Sequence, residues 1–167
     1  QVFRGLYEGY LADLNGAALG AAIVRYEAIG EHLQKAMSYA HLRFAENVAD
    51  GEAGRFFQGV QERVTAISTS TLFFTLELNR LDDAVLEAQL ADPAAARYAS
   101  WIRDVRVFRP HQLSDDLEQL LHEKSVTGRS AWVRLFEETF ADLRFPVDQN
   151  SLTMSETLNL LSDKDGT

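Results

Sequence analysis

The sequence predicts an all-α fold, a long antiparallel helical hairpin with shorter helices packed on it. Apolar residues recur at helical spacing along two long stretches, and chain-breaking residues are scarce, with 10 Gly and 3 Pro in 167 residues. At the start, Phe3, Leu6, Tyr7, Tyr10, Leu11 and Leu14 share one helical face until Asn15-Gly16 interrupts it. Leu19, Ile23, Tyr26, Gly30, Leu33, Met37, Ala40 and Phe44 then alternate steps of four and three, which predicts a straight helix over 17–48 facing a partner of similar length. Gly30 falls on that seam. A helix-interior glycine costs about 1 kcal/mol against alanine, so its position predicts a close backbone approach or a kink.

Asp50-Gly51 ends the first rod. Phe57, Val60, Val64, Ile67, Thr71, Phe74, Leu78 and Leu81 trace the second, and Leu72, Phe73 and Leu76 widen its apolar face toward further neighbours. Asp82-Asp83 punctuates, and a short segment runs to Leu90. Asp92-Pro93 then reads as an N-cap with proline at the first helical position, opening a helix whose apolar face is Tyr98, Trp101, Ile102, Val105 and Phe108. Arg109-Pro110 ends it. Ser114 is the next expected cap, with Asp115, Asp116 and Glu118 at the positive end of the dipole, Leu117, Leu120 and Leu121 buried, and Gly128 as the stop. Ser130 is the following cap, with Trp132, Leu135, Phe136, Phe140 and Leu143 on the buried side. Near 144–154 the period changes and a small β-hairpin around Asp148-Gln149-Asn150 is allowed, Pro146 confining its strand to an edge. Thr153 and Glu156 form a capping box opening onto Leu158, Leu160 and Leu161. Domain organisation is therefore a helical unit over 1–143 and a hairpin with a short helix over 144–167. The chain contains no 20–50 residue repeat and no low-complexity tract.

Sixteen Lys and Arg stand against 25 Asp and Glu, a net charge of −9 that argues against a nucleic-acid partner. With no cysteine, disulfides, thiolate metal sites and cysteine nucleophiles are excluded together, and the cytoplasm is the expected compartment. No run approaches 18 apolar residues, so no membrane partner is expected. The first residues enter helical periodicity without a methionine and the last helix is barely begun, so the expectation is a piece of a longer polypeptide.

Chemistry was sought in four places. His122-Glu123-Lys124-Ser125-Val126 begins like the zincin motif H-E-x-x-H and fails at Val126, which cannot ligate a metal. Ser125, His122 and Asp116 supply the residue types of a triad without any nucleophile elbow, and the pairs Asp82-Asp83 and Asp115-Asp116 sit where capping explains them. The aromatics Phe56, Phe57, Phe73, Phe74, Trp101, Trp132, Phe136 and Phe140 are expected in the core. Arg103, Arg106 and Arg109 form a stripe at steps of three. A solvated helix face explains it most economically, and contact with a peptide or a further domain is the functional alternative, because guanidinium groups grip carboxylates bidentately. No catalytic or metal-ligating residue is assigned.

Four separated strings carry a resemblance: Ser38-Tyr39-Ala40-His41-Leu42-Arg43-Phe44-Ala45, Leu72-Phe73-Phe74-Thr75-Leu76-Glu77-Leu78, Arg109-Pro110-His111-Gln112-Leu113-Ser114 leading into Glu118 and Leu120-Leu121, and Lys124 through Phe136 with Ser130-Ala131-Trp132. In this order they resemble the N-terminal region of the oligoendopeptidase F family, zinc metallopeptidases related to thimet oligopeptidase, over residues 3–161. The resemblance implies a helical shell that packs on a C-terminal catalytic domain and walls a channel for short peptides. It also implies a zinc in the full-length parent, held by an H-E-x-x-H helix and a downstream glutamate that lie outside residues 1–167, so this piece alone is expected to be inactive. The implied partners are the missing catalytic domain and short peptide substrates, and the uncovered face implies a homodimer. Two other assignments compete: a stand-alone helical interaction module with no enzymatic activity, and a metal-binding helical bundle, for which no ligand quartet is visible.

Overall fold

A computed structural model describes residues 1–160; Leu161 and the polar segment 162–167 lie outside the described residues. Its elements are α1 (Val2–Tyr7), a 3-10 turn (Leu11–Asp13), α2 (Gly16–Glu46), α3 (Gly51–Thr69), α4 (Leu72–Arg80), α5 (Asp83–Leu90), α6 (Pro93–Ala96), α7 (Ala99–Arg106), a second 3-10 turn (Arg109–His111), α8 (Asp115–Lys124), α9 (Ala131–Asp142), β1 (Phe145–Val147), β2 (Asn150–Leu152) and α10 (Met154–Leu160). The expected all-α class holds, with one two-stranded antiparallel sheet.

Helices α2 and α3 form the antiparallel hairpin. At its tip Phe44 stacks on Phe57 with ring centroids 5.4 Å apart and planes 6° from parallel. The second rod, expected to run unbroken to Leu81, is instead two helices. It breaks at Ser70-Thr71, where Ser68 Oγ, Ser70 Oγ and Thr71 Oγ1 donate to the carbonyls of Thr65, Ile67 and Ser68. A run of four hydroxyl residues offers the backbone local partners that compete with helix propagation. The break turns α4 inward, and Phe73, Phe74, Leu76 and Leu78 are buried.

The first helix also ends early, at Tyr7 rather than Leu14. Gly9 adopts φ +82°, a region glycine enters without steric cost. The Gly9 N–H released from the helix donates to Glu77 at 2.7 Å, and Leu11 beyond it drops into the core. Gln89, itself buried, donates to the carbonyls of Leu11 and Leu14 at 2.8 Å each, pinning this segment to α5.

One core gathers Phe3, Tyr7, Leu11, Leu19, Ile23, Phe74, Leu78 and Ile102 from α1, the 3-10 turn, α2, α4 and α7. Gly30 makes neither the close approach nor the kink expected of it: it is exposed, α2 runs through it, and a Cβ built there meets nothing within 4 Å. The close approaches are at the start of the helix. A Cβ on Gly16 would lie 2.2 Å from the Gln89 carbonyl oxygen, and one on Gly20 would lie 2.4 Å from that of Ala94.

Capping bears out the expectation at Asp92 and at Thr153 and fails it at Ser114 and Ser130. Asn15, Asp50, Asp82 and Asp92 each accept an N–H from the first turn of the helix they precede. Thr153 and Glu156 exchange both bonds of the capping box, Thr153 N to Glu156 Oε2 at 2.7 Å and Glu156 N to Thr153 Oγ1 at 3.3 Å. Ser114 occupies its N-cap position without a side-chain bond, and Ser130 sits in helical backbone and caps nothing. The helix opened by Asp92 breaks at Arg97-Tyr98, so α6 and α7 are separate. Helix α7 stops at Arg106, ahead of the expected proline stop, and Phe108 is exposed. The hairpin pairs Phe145 with Leu152, Pro146 with Ser151 and Val147 with Asn150. A two-residue turn makes Val147 and Asn150 the hydrogen-bonded pair and leaves Pro146 at a position that needs no N–H.

The expected burial of the later helices fails. Leu117, Leu120, Leu121, Trp132, Leu135, Phe136, Phe140 and Leu143 are all exposed, as is Phe56 on α3. Among the described residues none beyond Ile102 is buried. The periodicity correctly marked an apolar face, and nothing among the described residues covers it.

Candidate functional site

A cleft of about 560 Å³ lies between α2, the α3–α4 break and α7, lined by Tyr26, Glu27, Ile29, Gly30, Glu31, Leu33, Gln34, Ser68, Thr71 and Trp101. Its aromatic wall is built from the core outward. Tyr26 stacks on Phe74 at 5.0 Å and meets Trp101 at 5.9 Å, and burial pushes the Tyr26 phenol above its ordinary pKa. Glu27 and Glu31 stand one helical turn apart on α2, the helix that also carries Tyr26. Glu27 accepts the Tyr98 hydroxyl proton at 2.9 Å, and Glu31 pairs with Lys35 at 2.7 Å on the solvent side. Gly30 leaves the space between them open. The sequence seam contained Tyr26, Gly30 and Leu33, yet the cleft could not be read from it, because the opposing wall arrives from Ser68, Thr71 and Trp101.

Ser68 Oγ, 3.0 Å from the Thr65 carbonyl, also pairs with His122 Nε2 at 2.7 Å, the ring tautomer setting which of the two donates. This Ser-His pair ties α8 to α3. The trio Ser125, His122 and Asp116 is not the arrangement found: His122 turns to Ser68.

The three arginines separate. Arg106 is largely buried and donates to the Leu78 carbonyl at 2.9 Å, to the Leu81 carbonyl at 3.0 Å, and to Asp83, closing the C-terminal end of α4. Arg109 lies beyond α7 and reaches Asp83 at 3.0 Å. Arg103 and Arg106 both border an apolar groove of about 380 Å³ with Leu86, Leu90, Ala99, Ile102 and Val107. Arg106 and Arg109 thus converge on Asp83, while Arg103 borders the groove without joining that pair. The acidic pairs divide in the same way: Asp82 caps α5, and Asp115 pairs with Arg80 at 2.6 Å.

Among the described residues no group of three or more His, Cys, Asp and Glu could hold a metal ion. No helix among them is long and apolar enough to cross a membrane.

Residues 77–145 match the family model described as Oligopeptidase F, an N-terminal model of the M3 peptidases. The likeness to the N-terminal region of the oligoendopeptidase F family holds. Oligopeptidase PepF of Bacillus subtilis (strain 168) is 26% identical over 145 residues, 84% of this chain and 21% of the relative. The Oligoendopeptidase F homolog of Borreliella burgdorferi is 23% identical over 154 residues, 92% of this chain and 26% of the relative. The chain therefore spans between a fifth and about a quarter of the length of these curated relatives. No solved structure matches the chain significantly. The stretch similar to oligopeptidase F holds α8 and α9, whose apolar faces are uncovered, and begins within α4, which is buried.

Proposed function

We propose that this chain is the non-catalytic N-terminal part of a zinc-dependent oligopeptidase, a helical wall that holds short peptides and docks a catalytic domain. The observation that carries the reading is the row of exposed apolar side chains on α8 and α9, inside the stretch similar to oligopeptidase F, in a chain much shorter than the relatives it resembles. An apolar surface of that extent is costly in water and marks an interface. The docked domain covers Leu117, Leu120, Leu121, Trp132, Leu135 and Phe136, and the concave side with the Tyr26–Trp101 cleft faces the peptide. Zinc does not fit the residues described here, so it belongs to the docked domain. The work is cytoplasmic, in keeping with a cysteine-free chain.

The test is the open reading frame beyond Thr167 and the activity of its product. A frame that runs on into H-E-x-x-H and yields chelator-sensitive cleavage of short peptides, with the 167-residue piece inactive on the same peptides, supports the reading. A frame that ends without that motif overturns it and leaves a helical interaction module.

A further inference from the structure

The cleft between α2, the α3–α4 break and α7 presents hydrogen-bond acceptors and hydrocarbon in a combination that selects one ligand chemistry. Glu27 and Glu31 bring two carboxylates, and none of its ten lining residues is Lys, Arg or His. The Thr71 hydroxyl donates to the Ser68 carbonyl, so its oxygen has only lone pairs left to offer. Gln34 is the sole amide. Tyr26 and Trp101 add aromatic faces, which attract cations, and Ile29 and Leu33 add a surface for an aliphatic stem. An anionic ligand meets two carboxylates and no cationic side chain among the lining residues, the donors there being the neutral Tyr26 hydroxyl, Trp101 indole and Gln34 amide. A cation with several N–H groups on a hydrocarbon arm finds both an acceptor set and an aromatic platform. Lys35 already bonds one oxygen of Glu31, and the second remains for a ligand.

We propose that this cleft is a recognition site for a basic side chain, arginine or lysine, of a bound peptide. The assignment rests on the peptide-holding role proposed above, and goes beyond it in naming which residues of a peptide are selected and where. The stem lies along Ile29 and Leu33 with its head between Glu27, Glu31 and the Trp101 ring, and Gly30 provides the gap through which the peptide backbone passes the helix.

The chain contains two tryptophans, Trp101 and Trp132, so Trp132→Phe leaves Trp101 as the only indole reporter. In this background the emission of Trp101 is titrated with acetyl-Leu-Arg-Leu-amide and with the same peptide carrying citrulline, which is uncharged and nearly isosteric. The expected result is a saturable change with the arginine peptide at least about tenfold tighter than with the citrulline peptide, weakening as salt rises. Glu27→Gln and Glu31→Gln each weaken it about fivefold, their urea midpoints serving as a check on folding, and Glu52→Gln leaves it unchanged. Equal affinity for the two peptides, unchanged affinity in the Glu27→Gln/Glu31→Gln double variant, or no saturable change overturns the proposal. Agmatine binding without peptide binding overturns the peptide assignment. None of these outcomes depends on what lies beyond Thr167, so this inference and the peptidase reading fail separately.

Discussion

The glycines of α2 make a sharp experiment, because one substitution has opposite signs at two places on one helix. At Gly20 an added Cβ would lie 2.4 Å from the Ala94 carbonyl oxygen and 2.9 Å from the Ala94 Cβ. Backbone cannot swing aside as a side-chain tip can, so α6 must retreat by about 1 Å to restore ordinary contact, opening the packing of Ala95, which is fully buried, against α2. Overpacking of this kind costs about 1–3 kcal/mol or more, against the ~1 kcal/mol that alanine gains over glycine inside a helix. At Gly30 only the gain applies, since nothing lies within 4 Å. Gly20→Ala should therefore lower stability by about 1–2 kcal/mol, and Gly30→Ala should raise it by about 0.5–1 kcal/mol. Urea denaturation followed by far-UV circular dichroism reads both, as midpoint shifts in opposite directions with an unchanged slope. Two midpoints moving the same way would refute the claim that α2 meets α6 backbone to backbone at Gly20.

Arg106→Ala removes the donors that close α4 and should cost about 2–3 kcal/mol in thermal melts, while Arg103→Ala should stay within about 0.5 kcal/mol of the parent; equal losses would mean that the two do not differ in role. Burial raises the carboxyl pKa of Glu77 above its ordinary value, outweighing the N–H of Gly9 that it accepts. The folded state therefore holds that proton more tightly than the unfolded chain. Glu77 contributes stability that is complete below the ordinary glutamate pKa and is lost as pH rises through the raised folded value, and Glu77→Gln should flatten that part of a urea-midpoint profile. A profile unchanged in Glu77→Gln would refute the raised pKa. With α8 and α9 uncovered, sedimentation equilibrium should show concentration-dependent dimers that Phe136→Glu abolishes; a monomer at high concentration would count against the docking face.

The sequence carried α2 well because its evidence is periodic: eight seam positions at helical intervals give its length, while the partner of similar length expected from them is the shorter α3. Where chain direction changes, local chemistry decided, and the clue was weaker. The break at Ser70-Thr71 was written in four consecutive hydroxyl residues, although the apolar rhythm continues through them. The early end of α1 depends on Glu77, a residue 68 positions beyond Gly9, and no local pattern reveals such a partner. Asp92 and the Asp82-Asp83 pair read as capping residues in the sequence, whereas Asn15 and Asp50 read only as breaks, although all four bonds span just two or three residues. Burial was the weakest inference: an apolar stripe tells which side of α8 and α9 avoids water, and says nothing of whether this chain supplies the cover. The cleft stayed hidden for the same reason, since its walls come from segments more than thirty residues apart.

Beyond Ile102 every described side chain keeps some access to solvent, although most of the backbone there is hydrogen-bonded in helices. Such helices hold their amides by local bonds with little packing to defend them, so they open without disturbing the core around Phe74. Native-state amide exchange should run as a staircase, slow in α4 and the first half of α2 and fast in α8 through α10. A ligand or domain seated on Trp132 and Phe136 would raise the last step to meet the first, turning a loosely cooperative array into one unit of unfolding.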